Sequence, residues 1–113
     1  MKPKLNMKLE RVFVTQDVSD ARTIDFSDAE QYGELVDVLG SDKELIYNPR
    51  ESLRVAEKVL KDFSDDDYLL AVGDPVAIVL VAAVALKNNN GKMKMLRWDK
   101  KESRYIQVRI DTR

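Results

Sequence analysis

The sequence predicts an α/β protein with a small, mostly parallel sheet, in the order β-β-α-β-α-β-β, closed by a C-terminal antiparallel hairpin. Three observations lead there. The apolar run Tyr68-Leu69-Leu70-Ala71-Val72 meets Gly73-Asp74-Pro75, and a second apolar run follows from Val76 to Leu86. A short apolar run bounded by a turn signal marks a strand buried on both faces, as inside a parallel sheet. Asp74 is a good N-cap, and Pro75 suits the first helical position, where its missing N–H has no partner to lose. After Asn48-Pro49, residues Leu53, Ala56, Val59, Leu60 and Phe63 recur at helical spacing, with Arg50, Glu51, Arg54, Glu57, Lys58 and Lys61 on the other face. Finally, Lys92 to Trp98 and Arg104 to Ile110 both alternate and are joined by the five-residue link Asp99 to Ser103, which predicts a hairpin.

The elements follow in order. Leu9 to Thr15 ends in a β-branched and aromatic cluster and reads as a strand. Gln16 to Ile24 is polar and turn-like. Ser27-Asp28-Ala29-Glu30 has capping-box spacing and predicts one short helical turn, ended by Gly33. Glu34 to Leu39 is a second strand, closed by Gly40-Ser41-Asp42. A competing reading runs one helix from Ser27 through Leu39; Gly33 and the Val36/Val38 pair oppose it. Ser64-Asp65-Asp66-Asp67 ends the amphipathic helix. The next helix, 75–89, is apolar nearly all round, which means burial on more than one side. Its β-branched residues also leave a strand reading of 76–86 open, but the capped start, the alanines and the Asn88-Asn89-Asn90-Gly91 stop favour a helix. Both crossovers should be right-handed; the strand order is not legible.

At 113 residues the chain is expected to be one domain, with residues 1–8 as a basic, flexible arm. It has neither cysteine nor histidine. That excludes disulfides, thiolate and imidazole metal sites, a Ser-His-Asp triad and a cysteine nucleophile. Catalysis would rest on Asp, Glu, Lys, Tyr or a bound hard cation. The start lacks the apolar core of a secretory signal, and the longest apolar stretch, Pro75 to Leu86, is 12 residues, too short to span a bilayer. A cytoplasmic protein without membrane contact is expected. The net charge of −1 conceals +5 over residues 92–113, +3 over 1–11 and −9 between them. Such segregation signals either a basic binding face or an uneven solvated surface.

Three stretches occur together: Asp25-Phe26-Ser27-Asp28-Ala29-Glu30-Gln31-Tyr32-Gly33-Glu34, Val72-Gly73-Asp74-Pro75-Val76-Ala77-Ile78, and Lys94-Met95-Leu96-Arg97-Trp98-Asp99 followed by Tyr105. The combination resembles short proteins of tailed bacteriophages and of marine, often cyanophage-like, viral sequence, over roughly residues 25–110. The resemblance implies a viral origin, hence the host cytoplasm, and carries no activity, cofactor or catalytic residue.

Four places carry candidate chemistry. Gly73 and Asp74 lie at the carboxyl end of a predicted central strand, where open α/β sheets bind ligands. A helix N-terminus suits an anion, yet the Asp74 carboxylate and Pro75 oppose one, so a plain cap is the first reading and a nucleotide or anion site the second. Asp65-Asp66-Asp67 reads as a solvated acidic turn, without the ligand spacing of a calcium loop. In the hairpin, Lys92, Lys94, Arg97, Lys100, Lys101, Arg104 and Arg109 surround Trp98 and Tyr105, a composition that suits nucleic acid. Lys92 and Lys94 share a face with Leu96 and Trp98, which equally allows those aromatics a core role, and edge lysines also block sheet aggregation. Last, Val76, Val79, Leu80 and Ala83 are the expected oligomer interface. The first expectation is therefore a non-enzymatic binding protein, homo-oligomeric or bound to a host or phage protein, with no cofactor and no metal. The alternatives are a nucleic-acid-binding module and a binder at the Asp74 turn.

Overall fold

The chain runs through β1 (Arg11–Val14), a 3-10 helix (Ser27–Tyr32), β2 (Glu34–Asp37), α1 (Pro49–Val59), β3 (Tyr68–Leu70), α2 (Pro75–Asn88), β4 (Lys92–Asp99) and β5 (Arg104–Asp111). The computed structural model describes residues 10–16, 27–40 and 47–113. The expected basic arm 1–8, most of the polar segment 16–24, and Ser41-Asp42 lie outside the described residues.

The order and type of the predicted elements hold. The sheet has five strands in the order β2-β1-β3-β4-β5. β1 pairs in parallel with both β2 and β3, β3 pairs in parallel with β4, and β5 returns antiparallel on β4. Pairing of Arg11 to Val14 with Glu34 to Asp37 rules out one helix through 27–39. The break falls at Gly33, whose φ is +153° and whose missing Cβ leaves room for the Glu10 carbonyl. A strand over 76–86 is likewise excluded by α2.

Sheet period divides the core in two. On one face Phe13, Leu69 and Met93 meet Ala56 and Leu60 at α1 and Ala77, Val81, Val84 and Ala85 of α2. On the other, Val12, Val14, Tyr68, Leu70, Leu96 and Tyr105 meet Ala29, with Tyr32 and Leu35 beside them. Both α-helices thus cover one face, and among the described residues the other carries only the short 3-10 helix. Each α-helix starts on a side-chain cap followed by proline: Asn48 Oδ1 accepts from Glu51 N at 3.3 Å, and Asp74 Oδ1 from Val76 N at 2.8 Å.

Several elements are shorter than predicted. α1 ends at Val59, not Phe63, because the backbone tightens: Phe63 N bonds Leu60 O, an i to i−3 contact. Phe63 still reaches the core and packs on Phe13, with ring centroids 5.6 Å apart. Among the described residues no helix is long and apolar enough to cross a membrane.

Candidate functional site

The connection from β2 to β3 passes over β1, so the winding direction of the sheet reverses between β1 and β3. Ligands of open α/β sheets bind in the crevice at the carboxyl ends of such strands, and Gly73 and Asp74 lie there. The surrounding polar groups hold the two strands together. The Thr15 hydroxyl donates to Val72 O and accepts from Val72 N at 2.7 Å. Gln16 Oε1 accepts from Asp74 N at 2.8 Å. Gly73 has φ +106°, and a Cβ there would collide with the Gln16 side chain, so only glycine lets Gln16 fill the crevice. The Asp74 carboxylate caps α2. Thr15 and Gln16 are buried; sequence reasoning placed Gln16 in a polar turn and missed both, since their partners lie 57 and 58 positions away.

The acidic turn before β3 departs from its solvated reading at one residue. Asp67 is 0% exposed. Its carboxylate takes Arg11 Nε at 3.2 Å and Arg11 Nη2 at 3.0 Å, and accepts from Ser64 N at 2.9 Å. Arg11 also reaches Asp62 at 3.1 Å. A buried carboxylate needs this neutralisation, because an unpaired charge is costly away from water. Asp65 and Asp66 stay exposed. Asp65 accepts from Asn89 Nδ2 at 2.8 Å and lies 3.6 Å from Lys92 Nζ. Those two neighbours, the amide first, hold its carboxyl below the usual carboxylate range. Among the described residues no group of three or more carboxylates is arranged to hold a metal ion.

Strand alternation splits the nine hairpin candidates. Lys92, Lys94, Trp98, Tyr105 and Arg109 share the face away from the α-helices, Arg97 and Arg104 take the opposite face, and Lys100 and Lys101 lie in the connecting turn. Tyr105 is core, as the alternative reading allowed, and Trp98 is 43% exposed. Their rings meet edge to face at 5.0 Å. Lys94 Nζ sits 4.1 Å from the centroid of the Tyr68 ring, which Tyr32 contacts edge-on at 5.3 Å. Tyr32 OH donates to Tyr105 O at 3.1 Å, pinning the 3-10 helix across the sheet. A hollow of about 330 Å³ opens at the start of β4, lined by Asp65, Lys92, Lys94, Arg109, Asp111 and neighbouring apolar residues. Arg113 binds Asp111 through two side-chain contacts and a backbone N–H, and holds its carboxyl down to about 2.

The predicted oligomer face lies on the outside of α2. Val79 is 66% and Val76 47% exposed. Ala83 is also exposed and Leu80 partly buried.

The fold and these sites define a small mixed-sheet α/β protein with a capped strand-to-helix turn at its switch point and a cationic C-terminal hairpin. It belongs to the phage Pam3 gp32-like protein family, whose model matches residues 10–112, and is therefore a phage protein. The match takes in the whole of the stretch that carried the resemblance, roughly residues 25–110, and extends it through β1. No curated protein matches the chain.

Proposed function

We propose that this phage protein works by binding rather than catalysis, in the host cytoplasm, and associates with itself through the outer face of α2. The observation that carries this reading is the exposure of Val76 and Val79 on a helix without a charged side chain from Pro75 to Leu86. The fold of a single copy needs Ala77, Val81, Val84 and Ala85 turned inward. It has no use for valines turned outward. Exposed apolar surface at helical spacing is the usual mark of a protein contact, and Ala83 lets a facing helix approach closely. The absence of histidine and cysteine favours binding over catalysis. The buried Asp67 carboxylate is committed to Arg11 and Ser64.

Native mass spectrometry of the wild type and of Val79→Glu tests the reading. The wild type should give a homo-oligomer, and Val79→Glu a monomer with an unchanged circular dichroism spectrum, since residue 79 is already in water. A wild type that remains monomeric at high micromolar concentration would sink self-association. An oligomer that survives Val79→Glu together with Val76→Lys would move the contact away from α2.

A further inference from the structure

The geometry points to a second binding surface, independent of α2: the hairpin face away from the helices binds single-stranded nucleic acid, with Lys94 and Arg109 on a phosphate and Trp98 stacked on a base. Lys94 and Arg109 are direct cross-strand partners in an antiparallel pair. Their side chains leave the same face of the sheet, where like charges repel. Neither has a carboxylate at ion-pair distance among the described residues. The two acids lining the same hollow have cations of their own: Lys92 beside Asp65, and Arg113 on Asp111. Among the described residues the hollow therefore presents two cations with no carboxylate in direct contact, Lys94 resting on the Tyr68 ring and only within longer electrostatic range of Asp65. An anion between them would remove the repulsion and gain two charge-assisted contacts, one of them the forked kind that arginine makes with phosphate.

The rest of the face selects the kind of phosphate. Trp98 lies on the same side of β4 as Lys94, four residues on, which at strand rise is about 13 Å. An extended strand of a few nucleotides covers that distance. Tyr105 supports Trp98 edge-on and leaves the indole 43% exposed. An exposed ring beside cations is the arrangement on which unpaired bases stack without regard to sequence. A duplex keeps its bases stacked on each other and offers the indole none. Between the cations and the aromatic pair Leu96 is buried in the cluster with Ala29 and Tyr32 while Gln107 is exposed, so the nucleic-acid strand would pass along β5 over Gln107. α2 lies across the sheet, so self-association does not compete for this face.

The chain has one tryptophan, so its fluorescence reports Trp98 alone. Titration with an oligo-dT of about 16 nucleotides should quench it saturably, and the affinity should fall with salt. Replacing both cations (Lys94→Gln with Arg109→Gln) should weaken binding at least tenfold. It should also reduce the log–log salt slope by about 0.7, the value for one phosphate no longer neutralised on a single strand. Trp98→Leu, followed by anisotropy of a labelled oligonucleotide, should weaken binding without changing that slope. Arg109→Gln alone should not lower the melting temperature, because it relieves repulsion; this separates a binding role from a structural one. Absence of binding at low salt overturns the proposal. So does unchanged affinity in the double variant. Equal affinity for thymidine monophosphate, or for a duplex of the same length, would reassign the hollow to a free nucleotide or to simple charge attraction and overturn the single-strand reading.

Discussion

Two acidic turns flank β3, and the structure treats them in opposite ways. The turn leading in, Asp65-Asp66-Asp67, buries its last carboxylate completely against Arg11. The turn leading out, Gly73-Asp74-Pro75, keeps its carboxylate at the helix start, where it caps α2. Both residues are aspartates beside the same strand, so composition does not separate them. What separates them is the range of their partners. Asp74 bonds a backbone N–H two residues on, which any Asp-Pro helix start provides. Asp67 depends on a side chain 56 positions away, brought near only when β1 pairs with β3. An acid with a local partner sets up one element, whereas an acid with a distant partner holds the sheet together.

Substitutions that perturb three acids test this contrast, in decreasing order of effect. Asp67→Ala should be the most damaging, at about 3 kcal/mol, because it strands a half-buried guanidinium and removes the acceptor of Ser64 N. Urea unfolding measures it. A loss below about 1 kcal/mol, the size of an ordinary hydrogen bond, would show that Asp62 alone suffices for Arg11. Asp74→Ala should cost about 1 kcal/mol, the usual worth of an N-cap, and Asp74→Ser should restore most of it. A much larger loss, or none recovered by serine, would mean that Asp74 does more than cap.

The smallest effect concerns an acid that is exposed and locally paired. Asp111 should titrate near 2 by carboxyl NMR, and Arg113→Gln should return it toward the ordinary aspartate value of 3.8. A folded pKa below the unfolded one stabilises the fold above the unfolded value, and the contribution disappears as pH falls from about 3.8 through about 2. Since Asp111 faces solvent and an exposed pair is screened, the titration should move while the melting temperature at neutral pH falls less than for Asp74→Ala. A change in stability at pH 7 as large as that of Asp74→Ala would contradict the local reading.

The same division by range explains what could be read in advance. α1 and α2 were legible to within a few residues because the Asn48-Pro49 and Asp74-Pro75 starts and the apolar spacing are local signals. The hairpin was legible for the same reason, and so was the sharing of one face by Lys92, Lys94 and Trp98. The fate of Arg97 and Arg104, on the opposite face, follows from the same alternation. The polar residues at the switch point were not legible. Thr15 and Gln16 carry no local pattern, and their bonds to Val72 and Asp74 exist only with β1 and β3 side by side.

The sequence by itself determined the class of the fold, the order of its elements, the capped turn at Asp74 and the phage resemblance that the family match bears out. These rest on contacts within a few residues, or on periodicities that a short window shows. Only the tertiary structure decided the strand order β2-β1-β3-β4-β5, the burial of Asp67, and the meeting of Lys94 with Tyr68. It also decided that both α-helices cover one face of the sheet, with Lys92, Lys94 and Arg109 on the other. The physical reason is that a strand's neighbours are chosen by packing across the whole chain. A residue's own neighbourhood says which way it points, but not what it will meet there.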